Sequence, residues 1–263
     1  MATPTLFLIA AATTAAFFLS ASPPKITFKD GRIDAVDLSD KDDFDPYLIE
    51  ANASLSSNLL IATGEKGRLE SVTYNNYWRL GRESMGTWNS ETDFWLHSGS
   101  LLFCTENPQT IQFSTRESNA TFTGRGTIIL EATRNGGFKF IPLEGKGTLT
   151  TAKGGTKKII GGRMVLVLGK PTYFGDAYDI DIMLLLKSSR LINSFPTPLP
   201  TFEKIGLAIY IQELKLKGKY DALIGDATSN ENLQMWRFGS AKTENAQPVS
   251  NKKGFFGRFF GSK

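Results

Sequence analysis

The sequence predicts a mainly β fold, organised as an antiparallel barrel or a sandwich-like module. Short runs rich in Ile, Val, Thr and Phe follow one another between residues 94 and 169, and glycines separate them at the spacing of small antiparallel β domains. Ile111 and Phe113 alternate with polar neighbours, so one face of that strand should meet water. Asn135 and Gly136 stand between two runs, where a tight hairpin turn requires positive φ angles. Together these patterns indicate an antiparallel sheet that curls on itself.

Four sequence boxes within this stretch follow the order of a known family. Residues 96–102 form an apolar box that contains Gly-Ser, and Gly-Thr at 126–127 lies near the centre. Residues 143–145, Leu-Glu-Gly, are interpreted as a turn, and residues 161–167 as a final strand that begins with Gly-Gly. In this order the boxes resemble those of the FecR domain, an extracytoplasmic β-rich module. The resemblance implies a FecR-like β module over residues 93–170, with no active site attached.

The resemblance also implies a role and a compartment. FecR proteins pass a signal from an outer-membrane receptor, through a periplasmic domain, to a cytoplasmic sigma factor. Only five residues precede the apolar segment of this chain, so we expect the sigma-binding part to be missing. The expected function is that of the sensor or binding half alone, in contact with another envelope protein or a glycan, with participation in signal relay left open.

The N-terminal segment is apolar. Residues 1–24 contain no charged side chain, and residues 6–21 are mostly apolar, with Ala and Thr. Such a segment is typical of a signal peptide or a membrane anchor. It predicts an N-terminal hydrophobic helix and an extracytoplasmic location, with residues 6–21 as the membrane attachment if the leader is retained. A helix buried within the domain is the alternative interpretation.

Residues 25–92 are predicted to form the N-terminal flank of the β domain. Five aspartates between positions 37 and 45 lack the alternating spacing of a calcium-binding loop, which indicates a solvated loop instead. Asp45 and Pro46 are residue types that favour the cap and the first position of a helix. The sequence therefore predicts a helix that starts at this point.

Residues 171–240 are predicted to be a helical extension. Apolar residues recur on one helical face between positions 180 and 195, and the prolines that follow should end this helix. A second helix is predicted over residues 202–220, although residues 213–217 alternate as a strand would. We expect both helices to pack on the β module.

Residues 241–263 are predicted to be a flexible tail that is both basic and aromatic. Its last 13 residues carry four cations and no acidic residue, which equals the net charge of +4 of the whole chain. The rest of the chain therefore has no net basic excess, and we expect no nucleic-acid partner. Phenylalanines and cations together favour contact with a membrane surface or a partner, and an idle disordered tail is the alternative. The predicted contact residues are Lys252, Lys253, Phe255, Phe256, Arg258, Phe259 and Phe260.

Few residues in the sequence could carry out chemistry. His97 is the only histidine and Cys104 the only cysteine, which excludes an intrachain disulfide and any zinc site built on several cysteines. No Gly-x-Ser-x-Gly motif accompanies the histidine. We therefore predict no enzyme activity, no metal and no cofactor. Carboxylates on or near strands, at Glu117, Glu131 and Glu144, leave a glycan hydrolase as a minor alternative.

The sequence thus predicts a non-enzymatic binding module of the cell envelope. Exposed aromatic side chains often form binding surfaces, and the predicted binding rim consists of Trp88, Trp95, Glu144 and Gly145. A structural scaffold held at the membrane is the main alternative. The sequence leaves the oligomeric state open.

Overall fold

The fold is mainly β, as the sequence predicts. The computed structural model describes residues 24–39, 45–73, 76–221, 236–237 and 247–248. Strands account for 53% of the described residues and helices for 14%. One mixed sheet holds 14 of the strands, and it does not close on itself. A separate pair of two-residue strands forms a second sheet.

The sheet runs through most of the described chain, and its short strands come first. The strands are β1 (Lys25–Asp30), β2 (Ile33–Asp37), β3 (Tyr47–Leu48), β4 (Leu59–Thr63), β5 (Arg68–Val72), β6 (Asn76–Leu80), β7 (Met85–Ser90), β8 (Asp93–Ser98), β9 (Ser100–Ser114), β10 (Asn119–Ala132), β11 (Phe138–Thr151), β12 (Gly155–Lys158), β13 (Arg163–Leu168), β14 (Tyr173–Asp179), β15 (Trp236–Arg237) and β16 (Gln247–Pro248). The helices are α1 (Ile182–Ser188), α2 (Arg190–Asn193) and α3 (Phe202–Leu216).

Three long antiparallel strands, β9, β10 and β11, form the spine of the sheet. The predicted hairpin turn at Asn135-Gly136 joins β10 to β11, and Gly136 has a φ of 83°. The first half of β9 pairs with β6, whereas its last residues pair in parallel with β8. Two groups of strands therefore branch from the two ends of β9: β6, β5 and β1 from one, and β8, β7, β4, β2 and β3 from the other.

Four glycines face one another in two cross-strand pairs between β10 and β11. Gly124 pairs with Gly147, and Gly126 pairs with Gly145. Their φ angles lie between 142° and 156°, a region that side chains larger than hydrogen disfavour. A Cβ on Gly147 would lie 2.3 Å from the carbonyl oxygen of Thr123, so only hydrogen fits between the strands. We call this set the glycine crossing.

Two apolar cores lie on the two faces of the spine. The larger core contains Phe103, Phe122 and Phe140 and takes residues from both branches of strands. The smaller core lies on the other face, where Ile129 and Ile141 pack together with residues of α1, α2 and α3. Residues 101–104 of β9 are therefore buried on both faces, whereas residues 111–114 alternate between buried and more exposed positions, as predicted.

Several local predictions are wrong. Residues 47 and 48 form strand β3 rather than a helix capped by Asp45. The predicted turn at Glu144 and Gly145 lies inside the continuous strand β11, because paired glycines allow the strands to approach rather than to stop. Residues 173–179 of the predicted helical extension form strand β14.

The C-terminal helices differ in detail from the prediction. Two short helices, α1 and α2, occupy the place of the single helix expected over 180–195, and the break falls at Ser189. Residues 213–216, whose pattern alternates, continue helix α3. The predicted N-terminal hydrophobic helix lies outside the described residues, and so does the basic-aromatic tail apart from residues 247 and 248. Within the described ranges, none of the helices is both long and apolar enough to span a membrane.

Candidate functional site

A basic pocket lies at one end of the sheet, between strand turns and helix α2. Its volume is about 420 Å³, which is within the range of small-molecule sites. The turns that follow β4, β6 and β8 form one side, and α2 with the residues after it forms the other. The lining residues are Asp30, Glu65, Lys66, Arg68, Gly81, Arg82, Gly99, Ser100, Arg190, Leu191, Ser194 and Phe195.

Glycines bring the turns of the basic pocket together. Gly99 has a φ of 80°, and a Cβ there would lie 2.2 Å from the Ser84 hydroxyl oxygen. A Cβ on Gly81 would lie 2.6 Å from the hydroxyl oxygen of Ser100. The Ser100 backbone N–H donates to the Ser84 hydroxyl at 2.9 Å, which ties the two turns together. Any larger residue at position 81 or 99 would push these turns apart.

The charges around the pocket favour an anion. Four cationic side chains, those of Lys66, Arg68, Arg82 and Arg190, line it together with two acidic ones. Arg68 forms an ion pair with Asp30, which uses one cation and one anion. It also donates to the carbonyl of Ser194 at 2.7 Å, so its side chain is fixed in place. Even without counting Arg190, Lys66 and Arg82 outnumber Glu65, the one remaining carboxylate of the lining.

Arg82, one of the lining residues, has a buried donor without a partner. Its Nε atom is buried and has no hydrogen-bond partner among the described residues. Buried polar groups of proteins are almost always hydrogen-bonded, and exceptions mark places where water or a ligand binds. A guanidinium offers several N–H donors in one plane, a geometry that suits carboxylate, sulfate or phosphate oxygens. Arg82 is thus the side chain most suited to bind an anion here.

A buried ion pair holds the helix side of the pocket. Arg79 on β6 is fully buried, and its Nε donates to Glu70 at 2.8 Å. Its other nitrogens donate to the carbonyls of Leu191, Ile192 and Thr197, and the guanidinium lies 4.4 Å from the Phe195 ring. Burial lowers the pKa of Arg79, and the charge of Glu70 opposes that shift. Arg79 therefore fixes the position of residues 191–197 relative to the sheet.

The structure does not assemble the predicted rim. Trp88 is buried in the larger core, with its ring 4.9 Å from that of Trp78, while Trp95 is 39% exposed on the neighbouring strand. Glu144 lies on the face of the sheet that carries the smaller core, and Gly145 belongs to the glycine crossing. The predicted tail residues, from Lys252 to Phe260, lie outside the described residues.

Glu144 instead belongs to a buried polar cluster at the start of α3. The Thr127 hydroxyl lies 3.1 Å from a carboxylate oxygen of Glu144 and 3.4 Å from the Cys104 sulfur, and it also contacts the Thr201 hydroxyl. Burial raises the pKa of the Glu144 carboxyl, and the hydrogen bond from Thr127 partly opposes this. Burial likewise raises the pKa of the Cys104 thiol, which therefore stays protonated and unreactive.

The other candidate catalytic groups have separate structural partners. The ring of His97 lies 4.8 Å from that of Trp95, and its Nε2 is 2.7 Å from the Thr87 hydroxyl, while burial lowers its pKa. Glu131 pairs with Lys139 at 2.6 Å inside the protein. Glu117 forms an exposed pair with Arg116 at 3.5 Å. Among the described residues, no cluster of three or more His, Cys, Asp or Glu could hold a metal ion.

Comparison with protein-family models, curated proteins and solved structures found no match for this chain. The support for the candidate site therefore comes from the geometry and charges of the pocket alone.

Sequence reasoning missed the arginines of the pocket. Two short sequence patterns could have indicated them, Lys66-Gly67-Arg68 and Leu80-Gly81-Arg82. In each pattern an arginine directly follows a glycine. The buried position of Arg79 could have been suspected from its neighbours, since aromatic and apolar residues flank it on both sides.

Proposed function

We propose that the chain is a non-enzymatic binding module of FecR-like type and that it binds an anionic saccharide in the basic pocket. The proposal assigns no reaction to the protein. It retains the extracytoplasmic location and the glycan partner expected from the sequence. Arg82 is the main ligand-binding residue, with Lys66 beside it.

The buried and unpartnered Nε of Arg82 is the observation that carries the proposal. Leaving such a donor without a partner costs about 1–3 kcal/mol, and more for a charged group. An anion that reaches this donor would remove this cost, and any anion in the pocket would offset the basic excess of the lining. Arg68 and Arg79 hold the helix side of the pocket in place through hydrogen bonds to the carbonyls of Ser194 and Leu191.

The shape of the pocket favours a sugar acid over a protein surface. Protein partners bury wide and fairly flat areas, whereas small ligands enter concave sites. A cavity of about 420 Å³ accommodates one or two sugar rings that carry a carboxylate or sulfate. The half-buried ring of Phe195 offers an apolar edge to a sugar face.

The same proposal includes a sandwich-like arrangement of the sheet. Both branches of strands contribute to the larger core, with Leu69 and Trp78 from one and Ile61 and Phe94 from the other. Residues that meet in one core from two strand groups support a two-layered organisation. The basic pocket would then lie at one end of the sandwich, where binding loops commonly gather.

Calorimetry with matched sugars tests the function. We expect binding of galacturonic acid oligomers, no binding of the uncharged galactose oligomers, and weaker binding as salt is raised. Arg82→Met should weaken the affinity by about 10- to 100-fold, since hydrogen bonds to charged groups contribute about 1.5–3 kcal/mol. Arg116→Met removes the same charge from an exposed site outside the pocket and should leave binding unchanged.

The controls separate this proposal from other outcomes. Equal binding by the Arg82→Met and Arg116→Met variants would show that the pocket is not the site. If acidic peptides bind at Arg82 and acidic sugars do not, then the partner is a protein and the saccharide proposal fails. Treatment of intact cells with a membrane-impermeant protease tests the location of a tagged full chain. If the protease cleaves the chain only after the cells are lysed, the chain lies in the cytoplasm and the extracytoplasmic location is wrong.

A further inference from the structure

A second cavity opens into the larger core beside β11. Its volume is about 240 Å³, and its described lining shares no residue with that of the basic pocket. Strands β11, β12, β13 and β14, together with residues 159 and 160, form its walls. We call this cavity the apolar slot.

The apolar slot lies where β11 changes its partner. Residues 138–140 of β11 pair with β13, whereas residues 148–151 pair with β12. Between these two pairings a loop, residues 159–162, crosses the gap. The Gly162 N–H donates to the Pro142 carbonyl at 2.7 Å and fastens the loop to β11. The slot is therefore bordered by a loop at a place where a full strand would close the sheet.

The lining of the slot has a buried apolar part and an exposed cationic part. Phe140, Leu149 and Ile159 line it and belong to the larger core. Lys158 and Arg163 also line it and are exposed. Burial of apolar surface is favourable, whereas a charged group is best left in contact with water. A ligand with an apolar tail and a charged head therefore matches this division.

The charges at the mouth of the slot favour an anionic head. Three cations line it, Lys157, Lys158 and Arg163, and none of the described carboxylates does. Asp179 faces Arg163 in the pairing of β13 with β14 and offsets that one charge. The Nζ of Lys157 lies 5.0 Å from the centre of the Phe174 ring, a contact that restrains the side chain. Even without counting Arg163, two positive charges remain in surplus.

We propose that the apolar slot binds a medium-chain fatty acid. The aliphatic tail lies against Phe140 and Leu149, and the carboxylate lies at the mouth with the two lysines. The volume is below the range of about 300–1,000 Å³ that is usual for drug-sized ligands, so one short chain fits better than a two-chain lipid. The proposal concerns binding alone and assigns no reaction. It does not depend on the saccharide proposal, because Arg82 is not part of this lining.

Calorimetry of the full chain with a series of carboxylates tests the class of ligand. Each CH₂ group added between butanoate and octanoate should tighten binding about fourfold, because the tail is buried. Octanol has the same tail without the charge and should bind about fivefold more weakly than octanoate. Acetate, which has the charge without the tail, should show no measurable binding. An affinity that does not depend on tail length would refute a buried tail.

Filling the slot tests the position of the tail. Ala177→Leu enlarges a lining residue and should weaken octanoate binding about tenfold, because it takes the place of about two CH₂ groups of the tail. Ala62→Leu makes the same change at a half-buried position on β4, outside the lining, and should leave binding unchanged. Circular dichroism should show that both variants fold. Equal binding by the two folded variants would place octanoate elsewhere.

Charge removal tests the position of the carboxylate without changing the buried packing. The double variant Lys157→Met/Lys158→Met should weaken octanoate binding about fivefold and should lower its salt dependence. Its affinity for octanol should not fall, since that head carries no charge. Lys153→Met removes an exposed cation next to β12, outside the lining, and should leave the binding of both ligands unchanged. Octanoate binding that the double variant does not weaken would overturn the assigned head position.

Arg82→Met separates this proposal from the saccharide site. It should weaken the binding of the sugar acid and leave octanoate binding unchanged, so that either proposal can fail alone. If Arg82→Met weakens octanoate binding instead, octanoate occupies the basic pocket and the slot proposal is wrong. If phosphatidylglycerol vesicles bind through Lys157 and Lys158 while octanoate does not bind, the cations meet a membrane surface and the slot proposal also fails.

Discussion

Replacing Arg79 by Met should strongly destabilise the fold. The Arg79 guanidinium is fully buried. It pairs with Glu70 of β5, and its hydrogen bonds connect β6 to α2 and to the segment after it. Met has a similar length and apolar character, so it fills most of the space but supplies no charge and no donor. The change therefore isolates the loss of the ion pair and of its hydrogen bonds from the loss of packing.

The expected loss of stability follows from the buried groups that Arg79→Met leaves without a partner. Glu70 would remain 1% exposed with only the hydroxyl of Thr27, at 2.8 Å, as a side-chain partner. Removing one partner of a buried pair costs about 3–5 kcal/mol, because the remaining charge is no longer compensated. The buried carbonyls of Leu191 and Ile192 also lose a donor, whereas the exposed Thr197 can bind water instead. We expect a loss of about 4 kcal/mol in the free energy of unfolding.

Urea unfolding of matched variants measures this value. Arg79→Met should lower the midpoint strongly, while Arg116→Met, at an exposed pair, should change stability by at most about 1 kcal/mol. The double variant Arg79→Met/Glu70→Leu should regain much of the loss, because it removes the stranded charge as well. If Arg79→Met costs no more than Arg116→Met, or if the double variant is less stable than the single one, the reasoning about the buried pair is wrong.

Four further predictions concern other parts of the molecule. Burial raises the pKa of Glu144, so the stabilising contribution of its proton is complete below about pH 4.3 and is lost as the pH rises. Glu144→Gln should therefore be the more stable protein at neutral pH, and its thermal midpoint should meet that of the wild type in acid. Burial lowers the pKa of His97, so the stability that its neutral ring contributes is complete above about pH 6.5 and is lost as the pH falls. His97→Gln should abolish this acid-dependent loss of stability in denaturant titrations. Gly147→Ala should cost at least about 1–3 kcal/mol in urea unfolding, because its φ of 152° strains any side chain, and Gly206→Ala, where a Cβ meets open space, should not destabilise the protein. Deleting residues 251–263 should abolish binding to anionic vesicles in a flotation assay if the tail is a membrane contact, and unchanged binding would refute that role.

Some features of the fold could be predicted because they depend on neighbouring residues. The alternation around Ile111 and Phe113 has a period of two residues, and this places alternate side chains on opposite faces of a strand. Asn135-Gly136 adopts a turn for reasons that involve only its own backbone. The turn predicted at Glu144-Gly145 is wrong because glycine has two roles in a sheet: it can end a strand, or it can let two strands approach closely. Which role applies depends on the residue opposite, here Gly126, and sequence alone does not supply the pairing.

The candidate site could not be predicted for a similar reason. The lining of the basic pocket comes from positions as far apart as Asp30 and Phe195, and only the folded sheet brings them together. Trp88 and Trp95 belong to the same residue type, yet one lies in the core and the other is exposed. Composition predicts that aromatic residues matter, but the strand register decides which of them meets solvent.

The glycine crossing has a consequence for how the protein comes apart. Strands β10 and β11 run without interruption past it, and β9, which pairs with β10 on both sides of it, carries one group of strands near its start and the other near its end. Neither group of strands can therefore unfold without disrupting the paired strands β9, β10 and β11, on which the other group depends. Heating should therefore give a single sharp calorimetric peak, and limited digestion should release no stable fragment that ends between residues 124 and 147.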